Sequence, residues 1–414
     1  MIKYSKHTLP NGLTLLTHED HDTPLVTVNT LYCVGARNES PDRTGFAHLF
    51  EHLMFGGTPQ VPDYDSVVTS LGGECNASTN NDYTNYYVTA PAQHLRTLLQ
   101  LEADRMAGLD FSERPLEVQR RVVTEEYHQR YLNQPYGDKW LLLRPLCYKV
   151  HPYRWCTIGA DIRHVQQATV EDERLFFAQH YYPANAILAV AGNINSEETL
   201  HLVEEIYGSI DCDKQRDDLL LPTEPEPTEE HRLEVERNVP SDALFMAFLM
   251  PDRLHPDFYL YDLVSDILSN GNSSRMYNEL VRQQGLFSEL NAYITGDCDQ
   301  GLFAVDGRLQ PGITLQQAEQ AVWNQLEIVC RNPISDYELT KVVNKFESTF
   351  AFSHYKASDR ASNLCYYEWL GRTEWVNNEP LLYRNATPEG LMRVASQCFQ
   401  RHRANVIYYK SSAK

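Results

Sequence analysis

At 414 residues the chain is long enough for two or three domains, and a hydrophobic content of 42 % supports full-sized cores. A net charge of −20 argues against a nucleic-acid binder, because phosphate backbones need clustered Lys and Arg. No apolar run approaches the roughly 20 residues that cross a bilayer, so no membrane span is expected.

Met1–Lys6 runs straight into a strand-like segment with no apolar signal region, and the expected location is the cytoplasm. His7–His18 reads as a strand pair around an Asn11-Gly12 turn, and Leu25–Val34 as a further strand. His48-Leu49-Phe50-Glu51-His52 follows, an H-x-x-E-H run, the inverse of the H-E-x-x-H zinc signature. At about 100° per residue, His48, Glu51, His52 and Phe55 share one helix face, while Phe46, Leu49, Phe50, Leu53 and Met54 cover the other. Such a helix is buried and turns its one polar stripe toward something special. Thr44-Gly45 precedes it and Gly56-Gly57 stops it. Both imidazoles can reach one metal ion, and Glu51 can take a proton from an activated water.

Further along, Gly72–Thr79 is polar and β-compatible, and the segments 101–106 and 120–127 both read as helical. A catalytic zinc site usually has three protein ligands and an open position. The third donor must therefore come from a distant acid or histidine, and the paired acids Glu125 and Glu126 are candidates. Nine cysteines from Cys33 to Cys398 contain no C-x-x-C pair and read as reduced core residues. Neither G-x-x-x-x-G-K-[ST] nor G-x-G-x-x-G occurs, which leaves no nucleotide motif.

The stretch 219–231, with Pro222, Pro225 and Pro227 among glutamates and threonines, reads as a linker. Beyond it the order repeats: strands at 232–237 and 243–250, then a helix at 257–268 ending at Asn270-Gly271. The halves also end alike, in Ala184-Asn185 and Ala404-Asn405 steps into apolar strands. The expected fold is α+β: two homologous α/β-sandwich domains, antiparallel-rich sheets packed with helices, related by internal duplication. They are a zinc-binding domain at 1–218 and a homologous domain at 232–414. The second copy has Asp262 and Asp266 on the corresponding helix and no histidine pair there, so one zinc per chain is expected.

His48–His52, the Gly72–Thr79 strand and the Arg121-Val122-Val123-Thr124-Glu125-Glu126 helix together resemble peptidase family M16, the inverzincins of the pitrilysin and mitochondrial-processing-peptidase type. The resemblance extends to 182–193, 272–277 and Gly285-Leu286, and the length is similar to that of the short bacterial two-domain subfamily. It implies a zinc endopeptidase acting on peptides, with Glu51 as general base and Glu126 rather than Glu125 as third ligand. It implies substrate contact by Asn76 and Ala77 on an open edge strand, and a dimer enclosing a chamber, either a homodimer or a heterodimer with a second M16-like chain. The family's supporting glutamate two turns before the third ligand is Gln119 here, which alters the tuning of the site. The family's substrate-holding arginine and tyrosine from the second half have no clear match; Arg308 is the nearest cation. The alternative is a non-catalytic partner subunit on the same fold.

Overall fold

In the computed structural model the described residues are 1–216 and 219–412. Residues 217 and 218, where the first expected domain ends, lie outside them. The chain forms two compact units, each built around one sheet.

The first unit holds 1–128, 155–220 and 351–378. Its strands are β1 (Ser5–Thr8), β2 (Thr14–Glu19), β3 (Leu25–Tyr32), β4 (Glu74–Thr79), β5 (Thr84–Pro91) and β6 (Ala186–Gly192). Their order in the sheet is β1-β2-β6-β3-β5-β4. β2 and β6 run parallel and every other pair is antiparallel. β6 is buried along its whole length, which explains why it reads in the sequence as a continuous apolar run. The helix Ala357–Trp369 packs on β3 and β6 of this sheet. There Ser362 Oγ donates to Asn29 Oδ1 at 2.8 Å and the Cys365 thiol to the Ile187 carbonyl at 3.4 Å.

The second unit holds 129–154, 221–350 and 379–414. Its strands are β7 (His231–Arg237), β8 (Ala243–Leu249), β9 (Phe287–Ile294), β10 (Leu302–Leu309) and β11 (Asn405–Ser411). Their order is β7-β11-β8-β10-β9, with β7 and β11 parallel. Strand for strand this repeats β2-β6-β3-β5-β4 of the first sheet, so the expected duplication of an α+β domain is present. The helix Lys139–Cys147, from the first half of the sequence, packs on β8 and β11. Its Leu143 and Cys147 join Phe245, Leu249 and Ile407 in one core cluster.

A single cut in the linker does not describe these units. The segment 351–378 belongs to the first unit, and 129–154 to the second. The linker is also anchored. Glu224 is buried, and its carboxylate accepts from the backbone N–H groups of Lys149, Val150 and His151 at 2.7, 3.0 and 2.9 Å.

Candidate metal centre

The H-x-x-E-H helix spans Phe46–Leu53 and buries Phe46, Ala47, Leu49, Phe50 and Leu53. Phe50 is clamped between rings, 5.3 Å from Tyr181 and 4.8 Å from Phe176 between centroids. Gly45 precedes the helix at φ 88°, in the left-handed region that favours glycine. A Cβ there would sit 2.8 Å from the Ile158 carbonyl oxygen, so the entry tolerates no side chain. The first N–H groups of the helix need acceptors. Glu39 supplies two, taking Gly45 N–H on Oε2 at 2.9 Å and Ala47 N–H on Oε1 at 2.8 Å. Burial pushes the Glu39 carboxyl up to about 8, and the N–H groups of Ala47, Gly45 and Phe46 pull it back.

The opposite wall is the helix Glu113–Tyr127. Leu116 and Val123 are its buried positions, and Glu126, three residues past Val123, comes off the same side. Glu125 is exposed, about 100° round the helix. Arg120 holds the helix by pairing with Glu113 and Glu117 and by donating to the Ala168 carbonyl at 2.8 Å.

His48, His52 and Glu126 converge. The Glu126 Oε2 lies 3.6 Å from His48 Nε2 and 3.4 Å from His52 Nε2. Two donors bound tetrahedrally at about 2.0–2.1 Å from a common zinc stand about 3.3–3.4 Å apart. A charge-assisted hydrogen bond would instead draw them to about 2.7–2.9 Å. The spacing therefore suits a shared cation better than a direct ion pair. Two imidazoles and one carboxylate are also a donor set that zinc accepts in catalytic sites. Among the described residues no other group of three or more His, Cys, Asp or Glu side chains converges in this way.

Glu51 is half-buried between the two histidines in sequence. Its charge adds to the effects that hold the phenols of Tyr86 and Tyr181 above their ordinary range, burial being the main one. Those hydroxyls meet at 3.2 Å, and the Tyr86 hydroxyl reaches the Phe50 carbonyl at 3.4 Å. Phe55 packs edge-on to Tyr64 at 5.7 Å and borders Tyr86 at 6.2 Å between centroids, so it belongs to this aromatic wall.

Behind the wall the segment 101–106 has a structural part to play. Arg105 and Glu102 are buried and paired at 2.6 Å, and Glu102 also accepts from Tyr64 at 2.6 Å and from Thr30 at 3.1 Å. The guanidinium lies 4.7 Å over both Tyr64 and Tyr86. Stripped of one partner, such a buried pair would be strongly destabilising, about 3–5 kcal/mol. None of Glu39, Tyr86, Tyr181 and Arg105 stands in a motif; the sequence marked only the helical segment 101–106 that carries Arg105.

Asn76 and Ala77 lie on β4, the last strand of the first sheet. The Ala77 N–H donates to Asn76 Oδ1 at 2.9 Å, so a neighbouring side chain occupies it. The metal helix packs against β4, and Ala77 is paired across the ladder with Tyr86.

Arg308 lies on β10 in the second unit, half-exposed, 3.0 Å from Glu289 and with its guanidinium 5.0 Å over Tyr136. Asp262, Ser265 and Asp266 stand on the helix Phe258–Ser269 at the spacing of His48, Glu51 and His52. They line a cavity of about 710 Å³, but Asp262 is bound by the Tyr383 hydroxyl at 2.6 Å and Asp266 pairs with Asn270.

Residues 14–136 match the family model described as insulinase (peptidase family M16), and residues 167–346 match the M16 inactive domain. The chain belongs to peptidase family M16. Within the family it is similar to the zinc protease PqqE of Helicobacter pylori, 27 % identical over 99 % of this chain and 93 % of the relative. It is also similar to YmxG of Bacillus subtilis, an uncharacterised zinc protease, at 24 % identity over 85 % of this chain and 84 % of the relative. The crystal structure of a protease from Helicobacter pylori superposes with a TM-score of 0.92 at 27 % identity, covering 99 % of this chain and all of that one. A Pseudomonas fluorescens M16 inactive domain shares the fold, with a TM-score of 0.89 at 15 % identity, covering 100 % of this chain and 98 % of that one. The M16 inactive-domain match begins beyond His48, Glu51, His52 and Glu126, all of which fall within the insulinase match.

Proposed function

We propose that this M16 chain is a zinc-dependent endopeptidase that hydrolyses peptides or unfolded protein segments. The observation that carries the reading is the convergence of His48 Nε2, His52 Nε2 and Glu126 Oε2, with Glu51 on the same short helix. Zinc bound by such a set supplies Lewis-acid chemistry, polarising a carbonyl and bringing the pKa of water toward neutrality. Glu51 takes the proton of the attacking water as the new C–O bond forms. It returns that proton to the amine as the C–N bond breaks, and so ends the cycle ionised. His48 and His52 must each present a neutral Nε2 for this, which ties metal binding to the deprotonated rings.

An extended peptide can add to β4, because backbone pairing tolerates many side chains. Its carbonyl would replace Asn76 Oδ1 on the Ala77 N–H, and the freed amide of Asn76 could then bind the peptide. Arg308 is already engaged by Glu289 and Tyr136, so it is a weaker candidate for substrate contact. The proposal includes one zinc per chain, a dimer with a second M16-like chain, identical or not, and a cytoplasmic setting. The nine free cysteines favour that setting. No helix among the described residues is long and apolar enough to cross a membrane.

Glu51→Gln tests the chemistry. The variant is expected to keep its zinc and lose at least about 10²-fold in peptide cleavage. Cleavage at the wild-type rate would refute Glu51 as the base.

A further inference from the structure

The metal helix has eight residues, and its N-cap, Gly45, offers no side chain. The acceptor comes from Glu39, six residues upstream, which is 7 % exposed. Each of its oxygens takes one backbone N–H, from Gly45 and from Ala47. Both oxygens are thus used as acceptors, one for each N–H, at the positive end of the helix. Ala47 immediately precedes His48, so the clamp fixes the backbone one residue from a donor atom. The donor set needs such fixing, since ligand geometry must hold to about 0.5 Å. Thr44 pins the same entry from the other side, its hydroxyl meeting His164 Nδ1 at 2.8 Å and accepting from the Ala160 N–H at 2.9 Å.

We propose that Glu39 is a positioning residue for the metal centre: its two-oxygen clamp on the helix entry sets the approach of His48 to His52 and Glu126. This rests on the zinc reading of the site. A plain stability cap would make the same hydrogen bonds, so the test needs a matched control. Glu224 provides it, being 3 % exposed and accepting three backbone N–H groups in the second unit, which holds no converging metal donors among the described residues.

Glu39→Gln offers one acceptor where two are needed and turns an N–H toward an N–H. Zinc affinity, measured by chelator competition, is expected to weaken about 10–100-fold in this variant. The visible spectrum of the cobalt(II)-loaded protein should change with it. Glu224→Gln should lower the melting temperature of the metal-free chain while keeping zinc affinity within about twofold and the cobalt spectrum unchanged. Glu39→Asp, which keeps the two carboxyl oxygens on a shorter arm, should fall between wild type and Gln and serves if the Gln variant does not fold. Wild-type zinc affinity and cobalt spectrum in a folded Glu39 variant would overturn the positioning role. A wild-type chain that binds no zinc would overturn the metal reading itself, and this inference with it.

Discussion

Glu173 shows how a single buried group sets a pH dependence. It sits at 2 % exposure on the helix Val170–His180, with Oε2 buried and without a hydrogen-bond partner. Burial, aided by the charge of Asp110, pushes its carboxyl from 4.5 up to about 7. The folded chain therefore holds a proton that the unfolded chain releases. The contribution is complete below pH 4.5 and is lost as the pH rises toward 7. Glu173→Gln keeps the shape without the charge, so its melting temperature should match wild type near pH 4 and exceed it at pH 8. The gain should be on the order of 3 kcal/mol. A difference independent of pH would contradict the assignment. At this scale the sequence was legible where chemistry repeats at helical spacing, as at His48, Glu51 and His52. It did not separate Glu125 from Glu126 without the family resemblance, because adjacent acids on a helix differ only in direction. Glu39 was hidden, since a cap that reaches back across a loop leaves no local signature.

Among the elements, β4 and the metal helix carry the prediction on binding. The Ala77 N–H donates to Asn76 Oδ1, and a proline at 77 removes this donor, which an added strand would take over from Asn76. Ala77→Pro should reduce kcat/KM for unstructured peptides at least about tenfold, mainly through KM, with zinc content unchanged. Unaltered kcat/KM would show that substrate does not add to this strand. Most elements could be read from the sequence because their patterns are local. The Phe46–Leu53 helix was announced by its polar stripe, and β6 by its apolar run. The segment 101–106 is helical as its pattern suggests, and its Glu102 is neutralised internally by Arg105, whose guanidinium faces aromatic rings.

For the whole chain, the exchange of segments is the feature that the sequence concealed. The linker composition marks a break near 219–231, but composition carries no information about which sheet a later helix returns to. The helix Ala357–Trp369 covers β3 and β6, burying Asn29 and Ile187 beneath Ser362 and Cys365. A fragment of residues 1–218 lacks that cover and would expose a buried sheet face. It should show no cooperative thermal transition by circular dichroism, whereas the full chain should. A cooperatively melting 1–218 fragment would contradict the interleaved division.

His48, His52 and Glu126 are proposed to hold one metal ion. Anomalous diffraction from zinc-soaked crystals, collected on either side of the zinc absorption edge, tests it most directly. One peak per chain, about 2.0–2.2 Å from His48 Nε2, His52 Nε2 and a Glu126 carboxylate oxygen, is the expected result. A peak elsewhere, or none at this cluster, would contradict the account.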